Sequence, residues 1–75
     1  MTILGAPCEG KPDLYRQLEK MATNAIMAKE YDVELLNLLA DEWGEDPEDV
    51  IRTFLEIIRR RGHRARVQGD LIIVD

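Results

Sequence analysis

From Pro12 onward, apolar residues return at intervals of three and four: Leu14, Leu18, Met21 and Ala25, with Ala22 and Ile26 beside them. That spacing lines one face of an α-helix. Arg16, Gln17, Glu19, Lys20, Thr23 and Asn24 fall on the opposite, polar face. Pro12-Asp13 suits the first turn, because proline lacks an N–H that would go unbonded there and an acid meets the positive end of the helix dipole. The helix is expected to end near Lys29. Tyr15 and Met27 lie beside the stripe and are expected to cover the edge of the core rather than face a partner.

A second helical pattern follows Asp32, a good N-cap. Val33, Leu35, Leu36, Leu39, Ala40 and Trp43 form its apolar face, with Leu38 at the margin. Gly44 ends it, since the left-handed conformation that closes a helix needs no Cβ. Asp46-Pro47-Glu48-Asp49 then opens a third helix with a capping side chain, a proline at the first position and two acids in the first turn. The turn between these helices is only about three residues, the length that joins a helix-turn-helix. The third helix is apolar over a wide arc: Val50, Ile51, Phe54, Leu55, Ile57 and Ile58. Such an arc needs both earlier helices, or a second chain, to cover it.

After Gly62 the period changes. His63-Arg64-Ala65-Arg66-Val67 alternates, Gln68-Gly69-Asp70 is a turn, and Leu71-Ile72-Ile73-Val74 is an apolar, mostly β-branched run. Together these predict a β-hairpin packed on the helices, because a hairpin alone is marginal. The last strand, apolar throughout, is expected to be buried on both faces, by the helices and by a partner. Residues 1–11 show no periodicity and read as a flexible arm. The expected organisation is that arm followed by one domain over residues 12–75, α+β but mostly α.

Composition narrows the function. A chain of 75 residues buries only about 60% of its unfolded surface, so a partner or a second copy is a natural source of stability. Cys8 is the single cysteine, so no intrachain disulfide can form, and with only His63 beside it in the chain's inventory no zinc site is expected. Neither a signal peptide nor a membrane span is visible, which points to the cytoplasm. No phosphate loop or nucleophile motif occurs, and His63 reads as the start of a strand rather than a base, so neither an enzyme nor a cofactor is expected.

Charge is distributed unevenly. Residues 1–31 carry four acids and four bases, residues 32–50 eight acids and no base, residues 51–66 one acid and six arginines, and residues 67–75 two acids, for a net charge of −5. Two candidate surfaces follow. One is the acidic turn of Glu45, Asp46, Glu48 and Asp49, suited to a basic protein surface. The other is the set Arg52, Arg59, Arg60, Arg61, Arg64 and Arg66 with Gln68, suited to nucleic acid or an acidic partner. In the plain alternative, the arginines that end the third helix answer its dipole and pair with the acids of residues 32–50, and those acids form a solvated face.

Leu39-Ala40-Asp41-Glu42-Trp43-Gly44, Pro47-Glu48-Asp49-Val50-Ile51-Arg52, Leu55, Gly62, Arg64, Arg66-Val67 and Gly69 carry a resemblance. Over residues 33–74 the chain resembles the winged helix-turn-helix domain of bacterial transcriptional repressors of sugar metabolism. That resemblance implies three helices with a C-terminal β-hairpin, residues 47–61 as the recognition helix and residues 63–74 as the wing. Arg52 would match a phosphate- or base-contacting arginine, and Arg64 and Arg66 the arginines of the wing strand. The chain departs from the pattern at the front of the recognition helix. The family usually has Ser or Thr and basic residues there, whereas this chain has Glu45, Asp46, Glu48 and Asp49, and Thr53 and Glu56 do not offset them. Carboxylates entering a major groove meet about one phosphate charge per 1.7 Å of axis. The sequence therefore favours protein contact, as an adaptor or regulatory subunit, over DNA binding. A ribbon-helix-helix dimer ranks third, because it needs an alternating strand before the second helix and Ala28-Lys29-Glu30-Tyr31-Asp32 does not read as one.

Overall fold

The computed structural model describes residues 12–75; the arm expected over residues 1–11, with Cys8, lies outside them. The elements are α1 (Pro12–Ala28), β1 (Glu30–Asp32), α2 (Val33–Trp43), α3 (Pro47–Arg60), β2 (Ala65–Gln68) and β3 (Leu71–Val74). The fold is α+β and mostly helical, with one antiparallel sheet in the order β1-β3-β2.

Local chemistry sets the helix ends. The Asp32 carboxylate accepts a hydrogen bond from the Glu34 N–H at 2.9 Å and starts α2. Gly44, at φ 69°, closes it, and the Glu45 N–H returns to the Ala40 carbonyl at 2.8 Å. Asp46 repeats the capping bond to the Glu48 N–H at 3.0 Å, with Pro47 in the first turn of α3. Gly44, Glu45 and Asp46 are the whole connection, as the sequence pattern predicts.

α3 is the central element. Val50, Phe54, Ile57 and Ile58 are buried on it and meet Leu14, Leu18, Ala22 and Ala25 of α1 and Leu36, Leu39 and Ala40 of α2 in one core. Each large side chain fully buried in this way contributes about 1.5–3 kcal/mol. The wide apolar arc of α3 is thus covered mainly by α1, α2 and β2, with Ile51 and Leu55 half-buried at its margins.

The strand β1 corrects the sequence reading, which found no strand before α2. Lys29 takes a left-handed φ of 67° and turns the chain out of α1. Its carbonyl accepts from the Val74 N–H at 3.0 Å. Glu30, Tyr31 and Asp32 then pair with Ile73, Ile72 and Leu71. Only Tyr31 turns inward, its ring 5.1 Å from that of Phe54. A three-residue strand with one apolar position has almost no period of its own; β3 creates it by pairing.

The hairpin forms as expected. Gly69 sits at the first turn position with φ 64°, where a two-residue II′ turn places glycine. Within this chain β3 is buried on one face only, the face toward the helices. Ile72 and Val74 are buried, Ile73 is half-buried and Leu71 is exposed. On the outer face Ile73 lies between Glu30 and Arg66, and Leu71 between Asp32 and Gln68. Two further apolar assignments change. Tyr15 packs on the core edge as expected, but Met27 is 78% exposed. Leu35, assigned to the buried face of α2, is 47% exposed, and Leu38 is 63% exposed.

Candidate interaction surfaces

The acidic turn and the arginine set occupy opposite ends of α3, and the fold already uses much of each. At the N-terminal end, Asp46 caps the helix. Asp49 pairs with Arg52 at 3.4 Å, and its carbonyl accepts the Thr53 hydroxyl at 2.9 Å. Thr53 is therefore buried and turned toward the core, not carried on the front of the helix. Glu48 is exposed and Glu45 half-buried.

At the C-terminal end, the bonds of the arginines run to α1, to β2 and within α3. Arg59 donates to the Ala65 carbonyl at 3.0 Å, tying the helix to β2. Arg60 donates to the Tyr15 hydroxyl at 3.2 Å and lies 3.9 Å from Glu56. Arg61 bonds the Thr23 hydroxyl and the Glu19 carbonyl on α1. None of these bonds reaches the acids of residues 32–50 that the sequence offered, because chain direction brings this end of α3 beside α1 and the hairpin. The arginines act there as ties, answering carbonyl and hydroxyl oxygens. Sequence alone could not identify them as such, since the partners lie up to 45 positions away.

The outward residues of α3 are of mixed sign: Glu48, Asp49, Arg52, Glu56, Arg59 and Arg60. Acids and bases balance, and the pairs Asp49–Arg52 and Glu56–Arg60 neutralise each other across one helical turn. Exposed pairs of this kind are worth about 0–1 kcal/mol each. Their larger effect is to remove net positive charge from the face that a groove-reading helix would present.

The hairpin carries the remaining candidates. Arg66 reaches Gln68 at 3.3 Å and Asp75 at 3.9 Å. Arg64 is exposed and makes no side-chain hydrogen bond or ion pair among the described residues. His63 precedes β2, and its Nδ1 lies 3.3 Å from the Asp75 carbonyl oxygen.

The surface of α2 is a feature that the motifs did not single out. Leu35 and Leu38 are exposed and one turn apart, and Glu42 follows one turn after Leu38. Glu34 and Asp41 flank them. The available signal was four leucines among residues 35–39, more than one helical stripe can bury.

Two open depressions run along α1, one beside Tyr15, Arg16 and Glu19, the other beside Arg16, Lys20 and Asn24. Among the described residues, no group of three or more His, Cys, Asp and Glu side chains is placed to hold a metal ion, and no helix is long and apolar enough to cross a membrane. Compared with protein-family models, curated proteins and solved structures, the chain matches none.

Proposed function

We propose that this chain is a small, non-catalytic winged-helix domain that works by protein contact, as an adaptor or regulatory subunit. Support for the winged helix comes from the element order helix, strand, helix, helix, hairpin and from a sheet in which β3 lies between β1 and β2. The observation that carries the protein-contact reading is the balanced outer face of α3, entered through an acidic turn. A helix that inserts into a major groove is drawn in by net positive charge. Here the helix front is acidic, and the arginines at its far end are held by α1 and the hairpin. The strand that a ribbon-helix-helix dimer would share with a second chain pairs instead with β3 of its own chain.

A second reading, DNA binding, is favoured by one observation: Arg64, Arg66 and Gln68 lie exposed on the hairpin, and Arg64 has no partner among the described residues. Arginines on a wing suit phosphate contact.

The test is affinity capture on the tagged chain, with and without nuclease, set beside retention on a duplex DNA column. Protein contact predicts a nuclease-resistant partner and no retention on DNA. If capture vanishes with nuclease, and salt-sensitive retention weakens with Arg64→Ala and Arg66→Ala, DNA binding takes its place.

A further inference from the structure

We propose that the outward face of α2, formed by Leu35, Leu38 and Glu42, is the docking surface for a basic amphipathic helix of a partner protein. This rests on the protein-contact reading and names the surface and the chemistry of the partner.

The fold does not need these leucines. α2 is anchored by Leu36, Leu39 and Ala40 and is capped at both ends by Asp32 and Gly44. Polar residues at positions 35 and 38 would leave those contacts untouched. Yet two leucines stand 47% and 63% exposed, one turn apart. Spacing of three and four is how one helix offers side chains to another.

The charge around them specifies the occupant. Glu34, Asp41 and Glu42 border the leucines, and residues 32–50 hold no base at all. None of these three carboxylates forms an ion pair with a described residue. They differ in this from Asp49 and Glu56, which α3 neutralises itself. An apolar strip edged by unpaired acids complements a helix with an apolar stripe edged by lysine or arginine.

The same charges disfavour two other occupants. A second copy packed α2 against α2 would set Glu34, Asp41 and Glu42 against their own counterparts, and like charges in contact are repulsive. Arg59 and Arg61 of another copy are held by bonds to their own chain, and its exposed Arg64 lies before the hairpin strand, not beside a helical apolar stripe. Residues 1–11 contain one acid, Glu9, and one base, Lys11, and so bring no net positive charge to the face.

The experiment uses the full chain, isotopically labelled, titrated with a synthetic helical peptide of about 20 residues, long enough to hold a helix. The peptide carries leucines at i, i+3, i+4 and i+7 with flanking lysines; a matched control carries glutamates in place of the lysines. The lysine peptide is expected to shift the backbone resonances of residues 34–42. Its affinity should fall at least tenfold with Leu35→Gln and Leu38→Gln together, and again at high salt. Thermal unfolding of that double variant checks that the fold is intact. The glutamate peptide should leave the spectrum unchanged.

Equal binding of both peptides overturns the proposal, as does no shift on α2 with either. Shifts confined to residues 45–49 overturn it but leave the protein-contact reading standing. Silence toward both peptides together with duplex DNA binding through the hairpin overturns both. Self-association abolished by the leucine substitutions would assign the face to a second copy. Nuclear Overhauser contacts from residues 1–11 to Leu35 or Leu38 would assign it to the chain's own arm. Either result refutes a partner helix.

Discussion

α2 and α3 are joined by three residues and start in the same way, yet they do opposite things with their side chains. α3 turns Val50, Thr53, Phe54, Ile57 and Ile58 inward and pairs most of the charges it leaves outside. α2 buries Leu36, Leu39 and Ala40, exposes two more leucines and leaves their acidic neighbours without an ion pair among the described residues. Among the described residues α3 answers the charges of Asp49, Arg52, Glu56, Arg59 and Arg60 and leaves only Glu48 exposed without a pair, whereas α2 answers none of the three carboxylates beside its exposed leucines. That asymmetry separates a helix that organises a fold from a helix with a surface to offer. It also reverses the emphasis of the motif pattern, which draws attention to α3 as the helix that contacts a partner.

If α3 is the organising helix, removing its anchor should have the largest effect of any single change. Phe54 is fully buried and meets the Tyr31 ring at a tilt of 41°. Phe54→Ala should cost about 3–5 kcal/mol, read by urea or thermal unfolding. In a domain this small such a loss approaches total stability, so Phe54→Leu gives the graded comparison at less than about 1.5 kcal/mol. An alanine variant that unfolds within 1 kcal/mol of the parent would remove the distinction between the helices.

The junction comes next. Gly44 has a left-handed φ of 69°, and nothing lies within 4 Å of where a Cβ would stand. Gly44→Ala therefore meets no steric clash, and its cost is the backbone conformation alone, about 1–2 kcal/mol. Gly44→Asn should recover part of that, because asparagine tolerates the left-handed region better. Equal losses for Ala and Asn would point to a different conformation at the junction.

Tyr31 links the two helices, since its ring packs on Phe54 of α3 and its neighbour Asp32 caps α2. Burial first, and then the charge of Asp32, raise its hydroxyl above the ordinary 10.0. The folded state thus holds this proton more tightly than the unfolded chain does. The resulting stability is complete below pH 10.0 and is lost as pH climbs through the raised value. Unfolding measured from pH 8 to 11 should show an alkaline decline that Tyr31→Phe reduces. Identical pH profiles for the two proteins would mean that Tyr31 is not protected.

How much of this was legible in the sequence depends on the range of the interaction. The caps Asp32, Gly44, Asp46 and Pro47 act within a few residues, and the sequence announces them correctly. The hairpin is equally local. β1 is not, because Glu30-Tyr31-Asp32 becomes a strand only by pairing with β3, some 40 positions on. Arg60 and Arg61 find their partners on α1 at similar separations. The α2 surface was ambiguous for another reason. With leucines at 35, 36, 38 and 39, periodicity allows more than one inward face, and the position of α3 decides between them. Charge counting needs no structure, but the eight acids of residues 32–50 directed the sequence reading to the turn of Glu45, Asp46, Glu48 and Asp49 rather than to α2.

The smallest expected effect discriminates best. Leu35→Gln with Leu38→Gln removes two large apolar side chains from an eleven-residue helix. If they were part of the core, the loss would be several kcal/mol. If they form a surface, the change should lie within about 0.5 kcal/mol of zero, because glutamine is a good helix former and neither leucine belongs to the core cluster. The midpoint of thermal unfolding measures this directly. A large loss would place the leucines in the core and make α2 a second organising helix. Near-zero cost, in a helix that is otherwise capped and packed, leaves two leucines that the isolated fold does not require.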